Sequence, residues 1–156
     1  MLKKLKPDPP KVWIDTREQL PLALPNSEIH TLHVGDYSLE GLEDVVVVER
    51  KSLADLFGCI GRERERFERE LQSLSKIPYP ALVIEASMAD VLAGARFSEV
   101  HPHAAVGSII AWSVRYRIPV WLCGDRRAAA GTVYKILLKA AEEYQLHDRI
   151  TTNSPT

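Results

Sequence analysis

The sequence predicts an α/β domain with a mixed central sheet flanked by helices. Two features of the pattern carry that reading. Through the second half of the chain, short apolar runs alternate with stretches of helical periodicity, whereas the first half holds strand-like runs joined by turn residues. Size agrees, because 156 residues with 46% hydrophobic side chains make one ordinary domain that can bury a core without disulfides or a structural metal.

Residues 1–11, ending Pro7-Asp8-Pro9-Pro10-Lys11, read as an extended tail ahead of a domain over 12–147. Val12-Trp13-Ile14 has strand character, and Leu20 to Pro25 carries two prolines that make it loop. A second strand is expected over Ile29 to Ser38. Val45-Val46-Val47-Val48 is apolar at every position, as a strand covered on both faces requires. Ser52 and Asp55 have capping-box spacing, so a helix should start at once after that strand. A second helix, Arg62 to Lys76, carries Phe67, Leu71 and Leu74 as one apolar stripe on a charged rod, and Pro78 follows it. Ala81-Leu82-Val83-Ile84 is another buried strand. Ala104 to Arg117 reads as a helix carrying Val106, Ile109, Ile110 and Val114, and Val120 to Cys123 as the last strand. The final helix, capped near Asp125 and running to Gln145, sets Val133, Ile136, Leu137, Ala140, Ala141 and Tyr144 at helical spacing. Residues 148–156 are polar and are expected to fray.

Twenty basic and twenty-one acidic side chains leave a net charge of -1, which excludes a protein whose whole surface attracts phosphate. Seven of the bases lie between Arg50 and Lys76, so a local patch on a neutral body is the electrostatic form to expect. Cys59 and Cys123 have no partners at metal-ligand spacing, and no apolar run follows the N-terminal lysines. The expectation is a soluble protein of a reducing compartment, cytoplasmic or nuclear. His30, His33, His101 and His103 make no zinc spacing, and the glycines near Arg126 lack a phosphate-loop ending. Trp13, Trp112 and Trp121 each lie within an apolar run and are expected in the core.

Four carboxylates gather at the ends of the first three strands: Asp15, Glu18, Asp36 and Glu49. Side chains alternate along a strand, so Glu49 and Lys51 share one face and Arg50 takes the other. If Ser38 pairs with Val45 in a hairpin, Asp36 lies opposite Val47, on the face of Glu49 and one diagonal step away. A one-residue slip would turn Asp36 to the other face. Adjacent carboxylates repel, and a hard divalent cation such as Mg²⁺ or Mn²⁺ removes the conflict. With Lys51 beside it, that combination suits hydrolysis of a phosphodiester.

Gly35-Asp36, then Glu49-Arg50-Lys51, three residues and Asp55, preceded by Asp15-Thr16-Arg17-Glu18 and followed by Gly61-Arg62, resembles the nuclease domain of the XPF family of structure-selective DNA endonucleases. The likeness spans residues 12–145, with the motifs in the first half. It implies a restriction-endonuclease-like core, Asp36 and Glu49 as metal ligands, Asp15 as a third member of the site, and Lys51 as base or charge stabiliser. Arg17, Glu18, Arg50, Asp55 and Arg62 would support the site or contact DNA. The resemblance further implies branched or flap DNA as substrate and a homodimer formed through the last helices, with a heteromeric partner as the other arrangement. Nine residues follow His147, too few for the tandem helix-hairpin-helix module that most of the family carries, so a partner chain would have to supply that grip.

Two blander expectations stand beside this one. The Arg62–Glu70 helix pairs its charges at i, i+4, as solvated helix faces do. A non-catalytic DNA-binding or dimerisation subunit could also keep the fold, although a scaffold has no physical need for paired carboxylates that repel DNA.

Overall fold

The computed structural model describes residues 8–152. Six strands form one mixed sheet in the order β2-β1-β3-β4-β5-β6. In chain order, β1 (Val12–Ile14) is followed by β2 (Ser27–Ile29), β3 (Tyr37–Leu39), β4 (Val46–Ser52), α1 (Leu53–Ile60) and α2 (Arg64–Leu74). Then come β5 (Tyr79–Glu85), α3 (Met88–Ala93), α4 (Pro102–Tyr116), β6 (Val120–Leu122) and α5 (Arg126–Thr152). β3 is antiparallel to both β1 and β4, whereas β2 with β1, and β5 with β4 and β6, are parallel.

The alternation of side chains along β4 sorts the molecule into three layers. Val47 faces α1, α2 and α4 with Phe57, Phe67, Leu71 and Trp112, while Val46 and Val48 face α5 with Ala129, Val133 and Leu137. β5 divides in the same way, Leu82 and Ile84 to one side and Ala81 and Val83 to the other. Burial on both faces is why these two strands are continuous apolar runs.

Several expectations change in the structure. The stretch Ile29 to Ser38 is two strands with a loop between them, because the Leu32 N–H donates to the Asp15 carboxylate (2.8 Å) rather than to a neighbouring strand. α4 buries Ala105, Ser108, Ile109 and Trp112, leaving Ile110 (57% exposed) and Val114 (74%) in solvent. Trp121, on the edge strand β6, is half exposed. α3 was not foreseen; Ser87 and Asp90 form a full capping box at its start. At α1, Ser52 Oγ accepts from the Asp55 N–H (3.1 Å), and the reciprocal half of the box is not among the described hydrogen bonds.

α5 begins where Asp125 Oδ1 accepts from the Ala128 N–H (2.7 Å) and continues to Thr152, past the expected end at Gln145 and into the stretch expected to fray. Of its apolar stripe, Val133, Ile136, Leu137, Ala140 and Ala141 pack on the sheet of its own domain. Most of the expected tail, residues 1–7, and residues 153–156 lie outside the described residues. No helix among the described residues is long and apolar enough to cross a membrane.

Candidate active site

Asp36 is fixed by the backbones of both neighbouring strands. Its N–H donates to Val48 O (3.0 Å), and its own carbonyl accepts from the Asp15 N–H (2.8 Å). Gly35 makes the approach possible: its φ is +70°, and a Cβ there would collide with Val47 Cγ1 and stand 3.3 Å from Val48 O. The observed β3–β4 register pairs Tyr37 with Val48, so continuing it sets Asp36 opposite Glu49. This differs by two residues from the Ser38–Val45 pairing. An even shift preserves the face, so the two acids lie on the α1 and α2 side, as expected.

Asp36 Oδ2 accepts from the Arg50 N–H (2.8 Å), and no described residue donates to Oδ1. Burial pushes the Asp36 carboxyl up to about 6 against the opposing effect of that hydrogen bond. Glu49 rises to about 8, first through burial and then through the charge of Asp36. Its partner is Lys51, whose Nζ lies 3.2 Å from Glu49 Oε1 and 5.0 Å from the Phe67 ring centroid. Burial works against the Lys51 ammonium, but the charge of Glu49 prevails and its pKa rises, so the amine remains protonated. Cys59 is pushed up to about 11, chiefly by burial, and is no thiolate at neutral pH.

Asp15, the third member of the site in the sequence reading, has both carboxylate oxygens engaged. Its Oδ1 accepts from Leu32 N–H and its Oδ2 from Arg17 Nε (2.7 Å) and Arg17 N–H (3.2 Å). Burial would raise its pKa, but these hydrogen bonds, led by that of the Arg17 side chain, lower it. Arg17 is thereby aimed so that Asp36 and Glu49 both act on its charge. Among the described residues, no group of three or more His, Cys, Asp or Glu is arranged to hold a metal ion.

Arg50 occupies the opposite face. It donates to both oxygens of Glu18 (Nε, 3.0 Å; Nη2, 2.8 Å) and through Nη1 to Glu85 Oε1 (2.6 Å). Arg126 Nη1 reaches the same Glu85 oxygen (3.4 Å), and its Nη2 donates to the carbonyls of Leu20 (2.7 Å) and Pro21 (2.6 Å). The Leu22 N–H donates to Tyr37 Oη (2.9 Å). The loop after β1 is thus tied to β3, β4, β5 and α5. Sequence reasoning missed Glu85 and Arg126, although Glu85 ends an apolar strand and could have been read as the neighbour of Arg50.

An open cleft lies over this construction. Asp36, Arg50, Lys51, Asp55 and Arg62 line it, together with Arg17, Glu18, Glu85 and the loop 95–100. Of the arginines of α2, Arg66 borders the cleft, whereas Arg64 is tied to Ser108 Oγ (2.9 Å) and Glu68 (3.2 Å). The solvated pairing expected of α2 is there in Arg66 with Glu63 and Glu70.

The mixed sheet carries paired acids on adjoining strands and a Glu-x-Lys step, the arrangement expected of a nuclease-like domain, and the sequence comparison agrees: the ERCC4 domain matches residues 14–136. The chain belongs to the ERCC4 domain family, and the resemblance to XPF drawn from its motifs holds. XPF from Aeropyrum pernix is similar in structure, with a TM-score of 0.67 at 18% identity, covering 84% of this chain and 61% of that one. The same protein in complex with DNA gives 0.67 at 17% identity, covering 86% and 66%. The fold is therefore that of the restriction-endonuclease-like XPF nuclease domain, and the chain spans less than two thirds of those relatives. No curated protein matches the chain.

Proposed function

We propose that this domain is a metal-dependent DNA endonuclease, with Mg²⁺ or Mn²⁺ held by Asp36 and Glu49. The supporting observation is the pair itself: two carboxyls on neighbouring strands, Glu49 buried and Asp36 half-buried, each held well above its ordinary pKa, with an ammonium alongside. Such a pair fits a small hard cation, because binding one would relieve the repulsion that the fold otherwise answers with protons. When bound, the ion supplies positive charge at the scissile phosphate and acidifies water.

The remaining work falls to this chain's own groups. Lys51, protonated beside Glu49, offers charge to the oxygens that become negative during hydrolysis, which favours a stabilising role over that of base. Arg17, whose guanidinium Asp15 and the Leu32 carbonyl hold, adds a positive charge on which both acids act. Arg62 and Arg66, bordering the cleft, are placed for backbone phosphates. The DNA in complex with the Aeropyrum pernix relative supports this substrate class, and branched or flap DNA is the form proposed. Assembly as a homodimer, or with another chain, would use exposed parts of α5 such as Tyr144 and Leu146 in place of its buried stripe.

A second reading is a DNA-binding subunit without catalysis, favoured by the lack of a three-ligand cluster among the described residues. Cleavage of single-stranded, duplex, flap and fork oligonucleotides, with and without Mg²⁺ or Mn²⁺, separates the two. Cutting that requires the cation and is lost in Asp36→Asn and Glu49→Gln supports the nuclease. Binding without cutting in every arm supports the subunit. The mass in solution, measured alongside, reports assembly.

A further inference from the structure

The loop between α3 and α4 carries a side chain that the catalytic scheme leaves unused. Phe97 is 103% exposed, more than any other large hydrophobic residue described, and its φ is +63°. Both features are unfavourable for a bulky aromatic residue. The loop is nonetheless well tied. It leaves α3 through Gly94 at φ +85°, and the Ser98 N–H donates to Ala95 O (3.3 Å), closing a tight turn with Phe97 at its third position. A turn with a positive φ there ordinarily takes glycine. The Val100 N–H donates to Ser98 Oγ (3.2 Å), and Val100 lies close against Gly61, at the junction of α1 and α2.

The turn faces the cleft. Arg96, Phe97 and Ser98 line it together with Asp36, Lys51 and Arg62. A flat apolar ring is thus presented to solvent in the wall of the cleft that also holds Asp36, with Lys51, Arg62, Arg66 and Arg96 among the cations lining it. No described contact within the chain compensates for its exposure.

We infer that Phe97 is a stacking platform for a nucleobase beside the scissile phosphate, one that has left a duplex stack or was never in it. The inference rests on the nucleic-acid reading above. A base offers the ring a π-face of matching size, and the neighbouring arginines receive the flanking phosphates, the combination by which single strands are bound without sequence preference. A paired base inside a duplex has both faces covered, so the residue discriminates for unpaired or unstacked positions.

The test uses the full chain and an oligonucleotide bearing 2-aminopurine in a single-stranded flap next to the cleavage position, with a blunt duplex as control. Wild type and Phe97→Trp should quench the fluorophore and bind the flap alike. Phe97→Ala and Phe97→Leu should lose the quenching and weaken flap binding roughly ten-fold, with duplex binding and melting temperature unchanged. Leucine keeps the apolar character without the flat face, so it separates stacking from simple burial. Equal quenching and affinity in all four proteins overturns the role of Phe97 while leaving the nuclease reading intact. Failure of the wild type to bind either DNA overturns both.

Discussion

The Arg50 N–H lies 2.8 Å from Asp36 Oδ2, so the strand that carries one acid of the pair holds the carboxylate of the other. The position of Asp36 is therefore a property of the β3–β4 junction rather than of a free side chain, and perturbing the junction should be felt in catalysis before it is felt in folding.

Gly35→Ala tests this directly. The added methyl meets Val47 and a backbone that favours glycine. Stability should fall by about 1–3 kcal/mol. Cleavage should fall by roughly 100-fold, since ångström-scale misplacement of a reacting group is enough for that. Urea denaturation together with single-turnover cleavage gives both numbers; equal activity at reduced stability would sink the junction argument.

Arg50 is nearly buried with Glu18 and Glu85, the three side chains being 9%, 9% and 13% exposed. Removing the guanidinium takes from Glu18 its two-pronged contact and leaves Glu85 with the longer contact to Arg126, and Arg50→Ala should cost about 3 kcal/mol. Arg50→Lys should recover only part of that loss, because an ammonium cannot make the two-pronged contact with Glu18 and also reach Glu85. Denaturant midpoints of the three proteins decide it.

The raised pKa values set a pH dependence with a definite sign. Asp36 moves from 3.8 to about 6 and Glu49 from 4.5 to about 8, so each binds its proton more tightly in the folded state. Their contribution is complete below about pH 4 and is lost as pH rises through the folded values. In the presence of a chelator, the melting temperature should fall between about pH 4 and pH 8, and the decline should be shallower in Glu49→Gln. Added Mg²⁺ or Mn²⁺ should restore more stability at pH 8 than at pH 5.

Lys51→Gln keeps hydrogen-bonding capacity but removes the charge. If the ammonium stabilises the transition state, kcat should fall about 100- to 1,000-fold with little change in KM. A change confined to KM would assign Lys51 to substrate binding instead.

Much of this architecture was legible because it depends on local rules. Alternation along Val46 to Lys51 put Glu49 and Lys51 on one face and Arg50 on the other, and the structure keeps that division. The β3–β4 pairing was misjudged by two residues, an error that the period of a strand forgives. Other features depended on distant groups. The break between β2 and β3 follows from a carboxylate seventeen positions away receiving the Leu32 N–H, which no window around residue 32 contains. The inward phase of α4 is set by packing on Phe67 and its neighbours, with Trp112 meeting that ring edge-on at 5.1 Å, and the apolar residues of the helix alone do not separate Ile109, which is buried, from Ile110 and Val114, which are not. Short α3 has a readable cap but too few residues to show a repeat.

Arg126 has a mechanical consequence. It stands at the first turn of the longest helix and grips Glu85 together with the carbonyls of Leu20 and Pro21. A displacement of that helix would pull, through one guanidinium, on the segment bearing Glu18, which in turn holds Arg50. The start of the last helix is thus joined, through a single side chain, to the loop that frames the acids.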